Sequence, residues 1–315
     1  MHDVTDLSVV GAGAMGHGLT VHCALAGLDV TLVDHRQANL DAARDRIREA
    51  SAFLASEGLA DADPDEVLDG VDCTLDLAAG VADADVVVET ISEDLDAKRD
   101  LFSRLAEATS DAVLASNTSG LSIDAIAEAV PDDAARVAGC HWWYPPYLLR
   151  PVEIVRGTGT SDETVARLRS FVERVDRDPV LVERDVPGFV WNRVQFAVVR
   201  ECLHIVEEGV ASVEDVNRAV RDGYATRTAA IGPFETMDIA GLDLFGTIAE
   251  GLFPALSNAD APQNTMCERV ESGRTGIDAG AGFFDYDEPP ETVTRRRDER
   301  VAAIQRALDE ETERD

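Results

Sequence analysis

The sequence predicts an α/β N-terminal domain built on a mostly parallel sheet, followed by an all-α C-terminal domain. Three observations support this fold class: short apolar runs alternate with amphipathic runs in the first half, a glycine-rich motif follows the first apolar run, and only helical periodicity remains after residue 185. Alternating strands and helices are typical of a parallel sheet covered by helices on both faces. We place the boundary at the proline–glycine break Asp185–Gly188, which gives domains 1–184 and 185–315.

Eight short apolar runs in the first domain predict strands, because each has the length of a strand and is bounded by polar or glycine residues. They are Leu7–Val10, Val30–Val33, Val71–Leu75, Val86–Glu89, Ala112–Ser116, Arg136–His141, Val152–Val155 and Pro179–Val182. Four longer runs between them have the apolar spacing of a helix. They are Gly16–Ala26, Gln37–Ser56, Leu95–Ala108 and Ser161–Val175.

The second domain shows only helical patterns. Its predicted helices are Phe189–Glu208, Ser212–Asp222 and Pro233–Phe253. Ser212 stands where an N-cap residue is expected. The terminal run Glu291–Asp315 interleaves arginine with acidic residues around Val301, Ile304 and Leu308. We expect this run to form an amphipathic helix that packs on its own protein.

The charge balance excludes several classes of partner. The chain has 61 acidic and 28 basic residues, a net charge of −33, and Lys98 is its only lysine. Because no basic face is available to phosphates, we expect neither nucleic acid nor an anionic membrane as a partner. A strongly acidic surface keeps a protein hydrated in concentrated salt, so we expect a halophilic protein of haloarchaeal type. An ordinary acidic enzyme is the alternative, and it leaves the depletion of lysine unexplained.

Cysteine use and hydropathy favour a cytoplasmic protein. The five cysteines are scattered without a CxxC pair, which indicates reduced thiols instead of a disulfide framework. No apolar run is long enough to cross a bilayer, and the N-terminal segment MHDVTDLSVV has no basic region, so we expect neither a membrane span nor a signal peptide. We predict no metal site.

A dinucleotide fingerprint follows the first predicted strand. Its GxGxxG pattern is formed by Gly11, Gly13 and Gly16, with Ala14 and Met15 opening the helix. Gly11 makes the tight turn, Gly13 lets backbone amides approach a pyrophosphate, and Gly16 allows the helix and strand to pack closely. The helix N-terminus attracts the phosphates. The fingerprint therefore predicts a Rossmann-type domain that binds a dinucleotide.

Charged side chains extend the predicted cofactor site. Asp34 closes the second strand, where a carboxylate accepts hydrogen bonds from the ribose hydroxyls and repels a 2′-phosphate, so NAD is favoured. Arg36 leaves NADP as the alternative. Glu93 and Lys98 follow the fourth strand, where the nicotinamide half is expected. A surface ion pair is the alternative role for these two residues, although basic positions in this chain are otherwise arginine.

A histidine and a glutamate predict acid–base chemistry. His141 ends one apolar β-run, and Glu153 lies in the next, twelve residues later. Oxidation of an alcohol releases a proton together with a hydride, and an imidazole held near a nicotinamide is suited to take the proton. A lone histidine in a strand is more often structural. The acid at fixed spacing and the intervening prolyl turn favour catalysis here.

Taken together, these motifs resemble the 3-hydroxyacyl-CoA dehydrogenase family, including its carnitine dehydrogenase, L-gulonate dehydrogenase and lambda-crystallin relatives. The resemblance covers nearly the whole chain. It rests on Gly11–Gly16, Glu89–Lys98, Ser116–Ser119, Cys140-His141 with Glu153, Gly188–Arg193, Gly232–Glu235 with Asp238, and Gly282–Tyr286. It implies NAD as the cofactor, a place in fatty acid metabolism, and a twofold homodimer closed through the helical domain.

The resemblance also implies a role for each site residue. His141 is expected to take the proton of the substrate hydroxyl, and Glu153 to bind the other imidazole nitrogen and fix its tautomer. Ser119 and Asn192 are expected to hold the substrate oxygen, with Asn192 arriving from the second domain. Asn117 is expected to contact the cofactor.

Two departures from the family pattern concern the substrate. Tyr144 stands where the family usually has asparagine, and Trp142 and Trp143 replace the commoner phenylalanines, which predicts a bulkier wall. No lysine or arginine lies between Arg48 and Lys98, a region where a CoA nucleotide needs cations.

Three functions are therefore kept. The resemblance implies oxidation of a 3-hydroxyacyl-CoA first. The alternative is a small free hydroxy acid such as carnitine or L-gulonate, whose carboxylate Arg227 would pair with. The third is an NAD-binding protein without catalysis.

The first prediction is a melting temperature that rises with KCl. With a net charge of −33, repulsion among surface carboxylates opposes the compact state. The screening length is about 3 Å at 1 M salt and about 10 Å at 0.1 M, so only high salt removes the repulsion. Calorimetry at 0.1 M and 2 M KCl should show a gain of several degrees. KCl is the salt to use because sulfate stabilises most proteins by exclusion. A constant melting temperature would contradict a halophilic surface.

Overall fold

A computed structural model describes residues 4–312, the last four of them by their backbone alone. Its sheet has eight strands in the order β3-β2-β1-β4-β5-β6-β7-β8. Neighbouring strands are parallel except β6 and β7, which are antiparallel. The strands are β1 (Asp6–Val10), β2 (Asp29–Val33), β3 (Val71–Thr74), β4 (Val86–Glu89), β5 (Val113–Ser116), β6 (Val137–Trp142), β7 (Pro151–Val155) and β8 (Asp178–Val182). All eight predicted strands are confirmed.

Helices cover both faces of this sheet. They are α1 (Ala14–Leu25), α2 (Gln37–Ser56), α3 (Pro64–Asp69), α4 (Leu77–Val81), α5 (Leu95–Ala108), α6 (Ile123–Ala127) and α7 (Asp162–Arg174). The four predicted helices correspond to α1, α2, α5 and α7. The sequence reading missed α3, α4 and α6 because five or six residues are too few to show a helical period. Each of the three begins at an N-cap side chain, Asp63, Asp76 or Ser122, that accepts a backbone N–H.

The core has two halves that follow the alternation of the strands. Val86 and Val88 belong to one apolar cluster, whereas Val87 between them belongs to the other. Successive side chains of a strand point to opposite faces, so the two clusters lie on opposite faces of the sheet. Buried on both faces, the central strands read as continuous apolar runs, which is typical of a parallel sheet.

The chain divides into two units. The first comprises the residues up to Asn192 together with Asp298–Ala307, and the second comprises Arg193–Arg297 and the residues from Leu308. The sequence predicts the boundary between residues 184 and 185, with Asn192 in the second domain. The division into units falls later because the segment after residue 184 is bound to the first unit: Val190 N and Trp191 N donate to Glu153 on β7, and Asp185 binds the N-terminus of α6. Asp185 accepts hydrogen bonds from Ser122 Oγ at 2.6 Å and Asp124 N at 3.2 Å.

The rest of the described chain is helical, as predicted. Its α-helices are α8 (Trp191–Glu207), α9 (Val213–Ala219), α10 (Thr226–Ala230), α11 (Pro233–Ala240), α12 (Leu242–Leu252), α13 (Asn264–Glu271) and α14 (Pro290–Thr312). Ser212 caps α9 by accepting from Asp215 N, and a π-helical turn, Val220–Ala225, follows. The prediction of one helix over Pro233–Phe253 is wrong, because Gly241 has a φ of 99° and separates α11 from α12.

The terminal helix α14 agrees with the amphipathic pattern in part. Val301 packs against the core of the first unit and Ala302 is buried within it, whereas Ile304 is half exposed. The predicted residues 313–315 lie outside the described range. None of the helices between residues 4 and 312 has the length and apolarity needed to cross a bilayer.

Candidate active site

The fingerprint turn lies between β1 and α1. Gly11 has a φ of 112°, donates its N–H to Val33 O at 2.8 Å and accepts from Thr90 Oγ1 at 2.8 Å. A Cβ on Gly16 would lie 1.8 Å from the Gly11 carbonyl oxygen, so only glycine fits. A Cβ on Gly13 would meet no atom within 4 Å, so this side of the turn is open to a ligand. The packing roles predicted for Gly11 and Gly16 agree with this geometry.

Asp34 is joined to the same turn. Its Oδ2 accepts from Ala12 N at 2.9 Å, and its Oδ1 accepts from Arg36 N and Asn39 Nδ2, each at 2.9 Å. Beside it lies a cavity of about 230 Å³ that Gly11, Asp34 and His35 line together with Asp100, Arg104 and apolar residues. A carboxylate at the end of β2, an open glycine and the N-terminus of α1, with Ala14 and Met15, fit the ribose and pyrophosphate of a dinucleotide.

Lys98 is buried and does not line the groove. Its side chain is 1% exposed, and its Nζ lies 2.6 Å from Glu89 Oε1 and 3.5 Å from Glu93 Oε2. Glu89 also accepts from Ser116 Oγ at 2.7 Å and Ile91 N at 2.7 Å. Burial raises the pKa of the Glu89 carboxyl, and the charge of Lys98 opposes that shift. Lys98 is therefore not the surface ion pair that the sequence left open as an alternative, and its contact with the cofactor stays a prediction. Its position is an internal one.

Glu93 organises the loop after β5. Its Oε1 accepts from Thr118 Oγ1 at 2.6 Å, Ser119 N at 2.9 Å, Ser119 Oγ at 3.3 Å and Gly120 N at 3.2 Å. Burial raises the pKa of this carboxyl, but the bond from Thr118, the charge of Lys98 and the backbone N–H groups outweigh burial and lower it. Glu93 is thus an ionised carboxylate that holds Ser119 in place.

His141 and Glu153 face each other across the one antiparallel strand pair. They are direct partners in the register of β6 and β7, and His141 Nδ1 lies 2.6 Å from Glu153 Oε2. Because an ionised carboxylate only accepts, Nδ1 carries the hydrogen and Nε2 is left with a lone pair. The neutral imidazole then has the tautomer that a general base requires.

Glu153 has four N–H donors although its side chain is fully buried. Besides His141, Trp143 Nε1 donates to Oε2 at 3.3 Å, and Val190 N and Trp191 N donate to Oε1 at 2.8 and 2.9 Å. Burial raises the pKa of Glu153, but the bonds from His141 and the two backbone N–H groups outweigh it and hold the pKa below its usual value. The carboxylate therefore stays ionised beside His141.

A cavity of about 290 Å³ opens in front of His141. Of the predicted site residues, it is lined by Met15, Glu93, Asn117, Ser119, His141, Tyr144 and Asn192. Asn192 Nδ2 donates to Ser119 O at 2.8 Å, and Asn117 Oδ1 accepts from Trp142 N at 2.8 Å. These residues come from sequence positions as far apart as 15 and 192, and the fold brings them together at one edge of the sheet.

Two predictions about site residues need separate comment. Trp142 is among the residues that line this cavity, but only 1% of the residue is exposed and its ring packs in the core against Phe171, so it adds little surface to the expected wall. Trp143 forms the wall with Trp191, the two rings being stacked 4.0 Å apart at 20°. Arg227 lies in the second unit, is exposed and is not among the residues that line the cavity. Its pairing with a substrate stays a prediction.

The sequence reading did not identify Thr90, Glu89 or Trp191 as site residues. Thr90 supports the fingerprint turn, Glu89 binds Lys98, and Trp191 stacks on Trp143. Glu89 and Thr90 end a predicted strand at the sheet edge where ligands bind, which was a usable signal. Among residues 4–312, no cluster of three or more His, Cys, Asp or Glu side chains is placed to hold a metal ion.

Comparison with known proteins identifies relatives over most of the chain. Residues 6–186 match the model of the 3-hydroxyacyl-CoA dehydrogenase NAD binding domain, and residues 188–286 match that of the C-terminal domain. The 5-formyl-3-hydroxy-2-methylpyridine 4-carboxylate 5-dehydrogenase of Mesorhizobium japonicum is 32% identical over 97% of this chain and 99% of its own length. A probable 3-hydroxybutyryl-CoA dehydrogenase of Deinococcus radiodurans is 34% identical over 88% of this chain and 99% of its own length.

Solved structures give the same grouping. A crystal structure of the pyridine-carboxylic acid dehydrogenase, described as an NAD+ dependent dismutase, superposes with a TM-score of 0.90 at 32% identity and covers 98% of this chain and 99% of its own. The crystal structure of FadB2 from Mycobacterium tuberculosis superposes with a TM-score of 0.76 at 32% identity and covers 90% of this chain and 100% of its own.

The buried ion pair yields the second prediction. Lys98→Met should lower the free energy of unfolding by about 3–5 kcal/mol, because it leaves Glu89 buried without its counter-charge. The double variant Lys98→Met/Glu89→Gln should recover most of this loss, since the neutral amide can keep its oxygen on Ile91 N and donate its NH2 to Ser116 Oγ. Urea denaturation in 2 M KCl measures both. Equal losses in the single and double variants would show that the pair is not coupled.

Proposed function

We propose that this chain, which belongs to the 3-hydroxyacyl-CoA dehydrogenase family, oxidises the secondary hydroxyl of a small free hydroxy acid. It is an NAD-dependent oxidoreductase acting on a secondary alcohol, which follows from the two family domains that it matches and from its relatives. The observation that carries the catalytic part of the proposal is the 2.6 Å bond between His141 and Glu153 at the edge of the cavity. The choice of a free acid rests on the lack of cations after β2 and on the alignment of almost the whole chain with a relative named for a pyridine carboxylate.

His141 is the proposed acid–base group. Its Nε2 takes the proton from the substrate hydroxyl, and the ionised Glu153 stabilises the imidazolium that forms. NAD, when bound, would accept the hydride from the carbon that carries this hydroxyl. The hydrogen bond from Nδ1 to Glu153 fixes both the tautomer and the orientation of the imidazole, so neither has to change during the reaction. In reduction, the same nitrogen returns the proton.

Ser119 and Asn192 are proposed to hold the substrate oxygen. Both line the cavity, and the bond from Asn192 Nδ2 to Ser119 O fixes them relative to each other. Asn192 keeps its second N–H for a substrate oxygen. Ser119 Oγ donates to Glu93, so it binds a substrate oxygen as donor only when it exchanges that partner. Neutral donors of this kind stabilise charge that develops on oxygen without titrating themselves.

The distribution of charge argues against a CoA ester. The region after β2 contains acidic residues and no cation between Arg48 and Lys98. Arg48 is paired with Asp65 at 2.8 Å, and Lys98 is buried. A nucleotide with several phosphates would therefore meet a negative surface here. A small acid carries one negative charge and needs only one cation, for which Arg227 is the proposed partner.

Coverage by relatives also favours a substrate without CoA. The relative named for a pyridine carboxylate aligns with almost the whole chain and superposes at a TM-score of 0.90, against 0.76 for FadB2. The stacked wall of Trp143 and Trp191 offers a flat aromatic surface to a compact substrate. These observations support the free acid over the thioester.

A 3-hydroxyacyl-CoA is the second candidate, favoured by the family models and by the 3-hydroxybutyryl-CoA dehydrogenases among the relatives. In molar salt, exposed ion pairs weaken, so CoA binding would depend less on cations. A non-catalytic NAD-binding protein is the third candidate, and the complete set of His141, Glu153, Ser119 and Asn192 argues against it.

The third prediction is the outcome of a matched substrate panel. NADH formation is followed in 2 M KCl with 3-hydroxybutyryl-CoA, with free 3-hydroxybutyrate, and with carnitine and L-gulonate. We expect the best free acid to exceed the thioester by roughly tenfold or more in kcat/KM, a difference of about 1.4 kcal/mol. The reverse order would transfer the proposal to the acyl-CoA candidate.

His141→Ala is the control within this panel. It should lower kcat for the best substrate by roughly 10²–10⁴-fold, the usual contribution of a positioned acid–base group, and Glu153→Gln should lower it less. Affinity for NAD, measured by fluorescence titration, should stay unchanged because neither residue belongs to the fingerprint. Activity equal to the parent in folded His141→Ala would refute the assignment of the base, and no activity with any substrate in the parent would favour the third candidate.

We also propose a homodimer closed through the helical unit. Between residues 193 and 297 Leu203 is the only buried apolar side chain. Large apolar side chains of α11 and α12 are instead exposed, among them Phe234 at 76% and Ile239 at 75%. Exposed apolar surface of this extent marks a contact with another molecule. A second copy is the occupant that the family resemblance implies, through an isologous contact.

The fourth prediction is the mass in solution. Light scattering in 2 M KCl should give twice the 33.9 kDa of the chain. Phe234→Asp should shift the mass toward the monomer, because a charge would be buried without a partner. Val210→Asp is the matched control, since Val210 is also exposed but lies outside α11 and α12. A monomer mass for the parent protein would refute the proposal.

A further inference from the structure

One oxygen of Glu153 is shared between two ring donors. His141 Nδ1 donates to Oε2 at 2.6 Å, and the indole Nε1 of Trp143 donates to the same oxygen at 3.3 Å. The indole is held in this direction by its stack on Trp191, with ring centroids 4.0 Å apart. Trp191 donates to Glu153 only through its backbone, to the other oxygen. Of the two stacked tryptophans, only Trp143 donates to Glu153 from its indole ring.

A phenyl ring in place of the Trp143 indole could fill the wall and stack on Trp191, but it has no N–H to donate. The indole therefore gives Oε2 a second donor that the wall itself does not require.

We propose that Trp143 is a positioning residue that keeps His141 available as a proton acceptor at lower pH, by drawing negative charge away from the oxygen that the two rings share. The proposal rests on the function proposed above for His141. Each donor on a carboxylate oxygen takes part of its charge, so a protonated imidazole gains less from an oxygen that already serves an indole. Without the indole, Glu153 would hold the protonated form of His141 more strongly, and the base would be lost at a higher pH.

The other charged groups around His141 are the same with and without the indole. Glu153 on β7 is in direct contact, Glu93 and Tyr144 line the same cavity, and Lys98 lies against Glu93. Ser116 at the end of β5 and Asn117 after it do not titrate, and the centroid of the Phe189 ring lies 5.8 Å from that of the imidazole. A change confined to the Trp143 indole therefore reports on its bond to Glu153.

The experiment compares Trp143→Phe with Trp191→Phe. Both variants replace one indole of the stack with a phenyl ring, but only Trp143→Phe removes a donor from Glu153. The pH dependence of kcat/KM for alcohol oxidation in 2 M KCl is measured for both. In Trp143→Phe the midpoint of the acid limb should move up by about 0.5 pH unit, so that kcat/KM falls about threefold on the acid side, as expected for loss of one neutral donor. In Trp191→Phe the plateau is free to change, but the midpoint should not move.

A second measurement does not depend on turnover. The protein without substrate or cofactor is labelled with ¹³C at histidine Cε1, and the His141 signal is identified by its absence in His141→Ala. Its titration midpoint should rise in Trp143→Phe alone. If both variants shift equally, or if neither does, Trp143 acts only as part of the wall and the proposal is overturned. If the titration shifts as expected but no substrate is oxidised, the positioning effect stands and the function proposed for the site fails.

Discussion

The arrangement of the residues around the cavity in front of His141 depends on one buried negative charge, that of Glu153. A carboxylate without solvent exposure is unfavourable unless donors surround it, and Glu153 has four. These donors come from β6, from the wall that follows β6, and from the start of α8. Satisfying one charge therefore fixes the tautomer of His141, the direction of the Trp143 ring and the entry of the chain into the helical region. It also explains why residues 185–192 belong with the sheet.

A second network of carboxylates also reaches the cavity, where Glu93 and Ser119 are among the lining residues. Glu89 and Glu93 share the ammonium of Lys98 and between them hold Ser116, Thr118 and Ser119. The compact ammonium group is suited to an internal site between two carboxylates, where the broad guanidinium fork of arginine needs more room. This gives a physical reason for the single lysine in a chain whose other basic residues are arginine. Each network contains a buried charged group, Glu153 in one and Lys98 in the other, and each bonds to groups that line the cavity.

The surface of the protein differs from these two internal networks, because the chain has far more acidic than basic residues. Its net charge is −33, and several of its cations are paired with acids, as Arg48 is with Asp65. Such a surface disfavours ligands that carry several phosphates, while the apolar face of α11 and α12 remains suited to a second copy. In concentrated salt, repulsion is screened and apolar contact becomes the main attraction between copies. The proposed choice of substrate and the proposed dimer thus depend on the same surface composition.

The eight strands, the fingerprint turn and the pair proposed as base and acid could be predicted from the sequence, because they follow from local periodicity, from residue chemistry and from the resemblance to a known family. The tertiary structure decided what depends on contacts between distant segments. The antiparallel register of β6 and β7 sets His141 against Glu153, and no local pattern indicates strand direction. Burial of Lys98 depends on Glu89, which lies in a different element. Trp142 and Trp143 are neighbours in sequence, and alternation requires them to face opposite sides, but only the packing of α7 on the sheet decides which ring enters the core. Periodicity passes through Gly241 as well, and the left-handed backbone there ends the helix that the pattern predicts.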